Sequence, residues 1–164
     1  IYSEISFAWN KRFQDMYPIL LVKMRNIVRL NNSFSLLINL YNRTLISEQT
    51  PGYLGNTIGG HDYEIMLDRQ LPFFGQPAFT PTNRFTCIAA AGLRTNIEKH
   101  HFVTFYSNYL LHNNGLSHFS NYKTTWAGGL VYAYKSKIGP VEMMLGYSDK
   151  YKKPVISSNI GYWF

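Results

Sequence analysis

Apolar and polar residues alternate with period two along most of the chain, and no segment carries a convincing helical period. Nine strands are predicted. The first, over 2–11, sets Ile5, Phe7 and Trp9 against Glu4, Ser6, Ala8 and Asn10. The second, 19–28, sets Leu20, Val22 and Met24 against Lys23 and Arg25, and the third, 33–45, sets Phe34, Leu36, Ile38 and Leu40 against Ser35, Asn39, Tyr41 and Arg43. A fourth, 61–71, sets Tyr63, Ile65 and Leu67 against Asp62, Glu64, Met66 and Asp68. The fifth to eighth run over 85–97, 101–111, 126–135 and 141–148, with Leu93, Phe105, Tyr132 and Leu145 on their apolar sides. The ninth, 154–164, places Ile156, Ile160, Tyr162 and Phe164 on one face and ends on an aromatic residue.

Alternation does not say which face meets which solvent. In a soluble barrel the apolar side points inward; in a membrane barrel the interior is polar and the outside apolar, with aromatic girdles at both interfaces. Three features favour the inverted arrangement. The apolar faces are large and aromatic. The opposite faces mix Lys23, Arg25, Arg43 and Arg94 with Glu4, Glu64, Asp68 and Glu142, signs that can pair internally. The last strand has one apolar face and a terminal aromatic. The expected fold is therefore all-β: an antiparallel transmembrane β-barrel, or the C-terminal part of a larger one, occupying 1–164. Its girdle would include Trp9, Trp126, Tyr132, Tyr162 and Phe164. The longest apolar runs, such as 88–93, are far shorter than the roughly 20 residues a membrane helix needs.

Connection lengths give a direction. Bacterial barrels have short periplasmic turns and longer outer loops. With a periplasmic C-terminus, the short links at 136–140 and 98–100 are periplasmic, and the long links at 112–125 and 72–84 are external. One link disagrees: 46–60 would be periplasmic, yet it is long. Either the count is off by a strand there, or the segment folds into the lumen or extends the strands. Nine is also odd where single-chain bacterial barrels have even counts. Strands preceding Ile1, or a complete eight-stranded barrel with one of the first two strands miscounted, would each resolve it. The chain starts at Ile1 without Met or a signal peptide, which fits a mature form or a piece of a longer protein.

Composition narrows function. Lys+Arg number 16 against 9 Asp+Glu, a formal charge of +7, but the cations are dispersed. The densest run, Lys150, Lys152 and Lys153, reads as a solvated hairpin tip, so nucleic acid is not an expected partner. Aromatics make up 16% of residues, natural for a barrel with two belts. The single Cys87 rules out an internal disulfide and a cysteine-rich zinc site.

Gly59-Gly60-His61-Asp62-Tyr63, followed by Arg69-Gln70-Leu71-Pro72-Phe73-Phe74-Gly75, resembles the C-terminal barrel of patatin-like phospholipases of the outer membrane in Bacteroides-type bacteria. Trp126-Ala127-Gly128-Gly129-Leu130, Ile138-Gly139-Pro140 and the ending Asn159 to Phe164 extend the likeness. That barrel is similar to those of the bacterial surface antigen superfamily, with its barrel-assembly and two-partner secretion transporters. The resemblance implies a Gram-negative outer-membrane location and contact with outer-membrane lipid. It further implies recognition of the terminal strand (Ile160, Tyr162, Phe164) by the barrel-assembly machinery, and a task of anchoring or translocating a passenger. By the same resemblance the passenger is a patatin-like lipase domain N-terminal to this segment. That domain's Gly-x-Ser-x-Gly elbow does not occur here. No catalytic residue carries over, and whether the parent protein is an enzyme stays open. A self-contained outer-membrane barrel of structural or adhesive type, and a soluble ligand-binding barrel, are the alternatives.

No cofactor or metal is expected. His61 beside Asp62 and Glu64 is a weak metal pattern, because adjacent strand residues point apart. His100 and His101 suit a turn near headgroups, and His112 and His118 a loop surface. Glu64, Asp68, Arg43 and Arg94 have two readings: a lumen network that fixes register or gates a pore, or scattered solvated charges. Gly128, Gly129 and Gly146 fit sharp bends or aromatic packing sites.

Overall fold

The computed structural model describes residues 2–12, 15–61, 67, 69–114, 122–137 and 139–161, with side-chain surroundings from Tyr17 onward. Eight long strands form its wall: β1 (Tyr2–Arg12), β2 (Asp15–Arg29), β3 (Phe34–Leu45), β7 (Phe85–Glu98), β8 (His101–Asn113), β9 (Lys123–Ser136), β10 (Gly139–Ser148) and β11 (Pro154–Ile160). They make one antiparallel sheet in the order β1-β2-β3-β7-β8-β9-β10-β11, with β1 and β11 at its edges. Three two-residue strands, β4 (Thr57–Ile58), β5 (Gln70–Leu71) and β6 (Thr80–Pro81), form a second small sheet inside the β3–β7 connection. No helix among the described residues is long and apolar enough to cross a membrane.

The wall strands fall where alternation placed them, except the fourth. Segment 61–71 is not a wall strand: β3 pairs directly with β7, from Phe34↔Thr95 to Thr44↔Phe85. Residues 62–66 and Asp68 lie outside the described residues, and of this stretch only Gln70–Leu71 is strand, paired in parallel with Thr57–Ile58. The physical reason is local. Gly59 and Gly60 have φ of 114° and 76°, a left-handed backbone that breaks an extended run before it can join the sheet. Of this segment's described apolar residues, Leu71 is buried against the wall and Leu67 is exposed.

Removing that strand resolves the anomaly of connection length and leaves an even count in the described wall. Among the described residues the wall has eight strands. The connections at one end are all short (30–33, 99–100 and 137–138), and the two long ones (46–84 and 114–122) lie at the other end, with the shorter links 13–14 and 149–153.

Alternate residues meet different surroundings. On the outward face Phe105 is 57% exposed, Leu145 51% and Ile156 72%, joined by Phe34, Ile38, Leu93, Tyr109, Met143 and Tyr147. On the inward face Tyr41, Ile88, Leu110 and Ala127 are buried, and they are covered by Ile58, Leu71 and Phe73 from the connection 46–84. The expected wet, charged interior is therefore only partly realised. A polypeptide insert needs apolar surface to dock on, and the inner wall supplies a dry core for it.

Candidate functional site: the lumenal insert and its wall

The connection 46–84 folds back onto the inner face, and three sets of contacts hold it. The first is hydrophobic. Ile58, Leu71 and Phe73 are fully buried against Tyr41, Ile88 and Leu110, and each buried side chain of this size contributes about 1.5–3 kcal/mol.

The second is polar and centres on Asn56 and Arg43, both buried. Register places Arg43 on the inner face of β3 opposite Thr86 of β7. Its Nη1 donates to the Leu54 carbonyl at 3.0 Å and to Asn56 Oδ1. The Asn56 Nδ2 has four acceptors in reach: the carbonyls of Arg43, Asn83 and Arg84, each at 2.9 Å, and Thr86 Oγ1 at 3.1 Å. One amide thus ties the start of the insert, its end and two wall strands. A guanidinium this deep is tolerable because carbonyl and amide oxygens face it.

The third contact is a close approach of backbones. Tyr106 of β8 lies flanked in the sheet by Gly92 and Gly129, and Gly129 pairs with Gly146 of β10. These side-chain-free positions make room for Phe74, which stacks on Tyr106 with ring centroids 5.4 Å apart and an interplanar angle of 26°. A Cβ on Gly129 would stand 2.4 Å from Phe74 Cε1. Beyond it, Gly75 turns with φ of 86° directly over Gly146 and Tyr147. Asn108 Nδ2 donates to the Phe74 carbonyl at 3.1 Å, fixing the tip to β8. Within the insert, the buried Gln70 side chain donates to the Gly59 carbonyl at 3.0 Å, and Arg69 Nη1 donates to the Tyr53 carbonyl.

The expected site residues are distributed as follows. Arg43 and Arg94 share the inner face but are not together: Arg43 pairs with Thr86 and Arg94 with Ser35, eight positions away, roughly 26 Å along the strands. Arg94 Nε donates to Thr104 Oγ1 at 3.3 Å. It lines a cavity of about 240 Å³ at the short-turn end together with Lys135 and Glu142. Glu64 and Asp68 lie outside the described residues, as do Tyr162, Phe164 and the side chain of Trp9. Trp126 and Tyr132 are both exposed on the outward face of β9, six positions apart. Ile160 is exposed near the end of β11. Tyr132 OH lies 2.6 Å from His101 Nδ1. His61 sits inside, edge-on to Phe74 and Tyr106. Gly128 faces outward beneath Trp126, whose Nε1 donates to Ser107 Oγ at 3.0 Å.

Asn56, Phe74, Gly75 and Asn108 carry the docking, and residue-type reasoning did not single them out as a site. Two signals pointed there: the unaccountable length of 46–60 and the string Arg69 to Gly75.

The family model described as the OMP85 superfamily matches residues 2–164. No curated protein matches the chain.

Proposed function

From its membership of the OMP85 superfamily, to which this chain belongs, we propose that this outer-membrane β-barrel segment anchors an attached passenger domain in the outer membrane of a Gram-negative bacterium. The passenger is an N-terminal domain, and the residue strings at 59–75 and 126–130 support a patatin-like phospholipase. Barrel-assembly machinery recognises the terminal strand through Ile160, Tyr162 and Phe164.

The observation that carries the anchor reading over an open conduit is the insert. Phe73, Phe74 and Leu71 are buried against β3, β7, β8 and β9, so the inner face is occupied by the protein itself. The sheet has two edges, β1 and β11. Lipid offers no partner for an unpaired edge, and this supports the reading that the segment sits within a larger barrel. The outward apolar face speaks against a soluble ligand barrel.

The test uses the intact protein, expressed with and without residues 1–164. With them, phospholipase activity sediments with outer membranes and resists carbonate extraction; without them it becomes soluble. Activity that stays membrane-bound after the deletion, or an intact protein with no lipase activity, would overturn the reading. The even wall count supports a stand-alone eight-stranded barrel as a second reading. Rapid disulfide formation between cysteines placed in β1 and β11 would favour it.

A further inference from the structure

The β10–β11 hairpin at 149–153 carries Lys150, Lys152 and Lys153, all exposed. Lys123, which opens β9, shares a polar cavity with Lys150 at the same rim. The hairpin's acid, Asp149, is engaged by backbone: its Oδ1 accepts from the Trp126 N–H at 3.1 Å. Lys152 takes a left-handed φ of 56°, so the turn seats a cation where glycine or asparagine is the unstrained choice.

Directly beneath, on the outward face, lies an open groove of about 390 Å³, floored by Gly128 and walled by Phe105, Leu130, Leu145, Tyr147 and Pro154. The volume exceeds the roughly 30 Å³ share of a water molecule many times over, and the walls offer almost no polar partner, so water is a poor occupant. Gly128 pairs with Tyr147, and Tyr147 with Pro154, the pair that closes the hairpin. The cations therefore begin where the groove ends, with Lys153 next to Pro154 and Lys150 three positions past Tyr147, roughly 10 Å of chain.

We propose that hairpin and groove together bind one lipid of the outer leaflet, a multiply acylated lipid with a phosphorylated headgroup. One acyl chain fills the groove over Gly128, and the headgroup phosphate is held by Lys150, Lys152 and Lys153. The charge selects an anionic lipid over a zwitterionic one. The inference rests on the membrane orientation adopted for the proposed function, with the long connections outermost.

The test titrates the delipidated intact protein in detergent with diphosphorylated, hexa-acylated lipid A and reads bound lipid by native mass spectrometry. Phosphatidylcholine and inorganic pyrophosphate are run in parallel. Wild type holds one lipid A, binds phosphatidylcholine far more weakly, and is not stripped by pyrophosphate. The triple variant Lys150→Gln, Lys152→Gln, Lys153→Gln loses about a hundredfold in affinity, near fivefold per cation removed. The double variant Phe105→Ser, Leu145→Ser also binds more weakly. Equal affinity of the triple variant and wild type overturns the proposal, as does equal retention of phosphatidylcholine or full displacement by pyrophosphate. Membrane fractionation of each protein separates the failures. A protein absent from outer membranes defeats the orientation itself, whereas one that fractionates normally without holding lipid A defeats only this site.

Discussion

Gly75 and Gly146 meet backbone to backbone: a Cβ built on Gly146 would stand 2.6 Å from Gly75 Cα and 2.8 Å from its nitrogen. Neither atom belongs to a flexible side chain, so any larger residue must push the insert tip off the wall. Gly146→Val is expected to destabilise the folded barrel by about 1–3 kcal/mol, the range for overpacking, and to expose the insert to added protease. Gly52→Ala is the matched control, since nothing lies within 4 Å of a Cβ there. Denaturant midpoints in detergent and limited proteolysis measure both. Equal midpoints for the two variants would show that the tip does not dock at Gly146.

Asn56 makes a second, independent test of docking. Asn56→Ala removes the amide between Arg43, Asn83, Arg84 and Thr86 and leaves the buried Arg43 with fewer acceptors. A loss of about 2–4 kcal/mol is expected, because removing a partner costs ~1–3 kcal/mol for each buried polar group left unsatisfied and more for a charged one. Proteolysis should then begin in 46–84, ahead of any cut in the wall strands. A midpoint within experimental error of wild type would show that Asn56 does not hold the insert.

What could be read in the sequence follows from the period. Outward residues such as Phe105, Leu145 and Leu93 see lipid or its absence uniformly along a strand, so alternation alone marks β3 and β7 to β11 within a few residues. The inner face is different. Ile88, Leu110 and Tyr41 are buried because a distant segment reaches them, and no strand-local pattern announces a partner so remote in sequence. The same blindness made 61–71 look like a wall strand: alternation cannot tell a strand of the wall from a short piece such as Gln70–Leu71 that pairs within the insert. Arg43 was legible as an inward cation. Its neutral partner, Asn56, was not, since searching for opposite charges passes over amides.

The direction of the sheet has its own test. Phe105 lies in the middle of β8 on the outward face, and the exposed Ile97 lies at the register irregularity next to the 99–100 turn. Phe105→Arg should cost about 2–4 kcal/mol in lipid, whereas Ile97→Arg should cost ~0–1 kcal/mol, because the penalty falls with distance from the bilayer midplane. Urea titrations of protein folded into phosphatidylcholine vesicles would give both values. Two equally harmless arginines would place the outward face in water and remove the membrane reading altogether.

Trp126 and Tyr132 stand on the same outward face of β9, six positions apart, roughly 20 Å along the strand. A strand tilted by about 40° brings that spacing to roughly 15 Å along the bilayer normal, so the two rings fall on opposite sides of the midplane of a ~25 Å band. Trp126 then belongs near the outer interface, where its Nε1 is already held by Ser107 Oγ. With Trp9→Phe and Trp163→Phe as background, Trp126 fluorescence should be quenched more by lipids brominated near the headgroup than by lipids brominated near the chain end. Moving the tryptophan to the other side of the band, in Tyr132→Trp with Trp126→Phe, should give the same preference for shallow bromine. In addition, a water-soluble quencher added to only one side of the vesicles should reach one of the two rings and spare the other. Deep quenching of either ring, or equal access to both from one side, would show that β9 does not cross the bilayer with these two residues at its opposite faces.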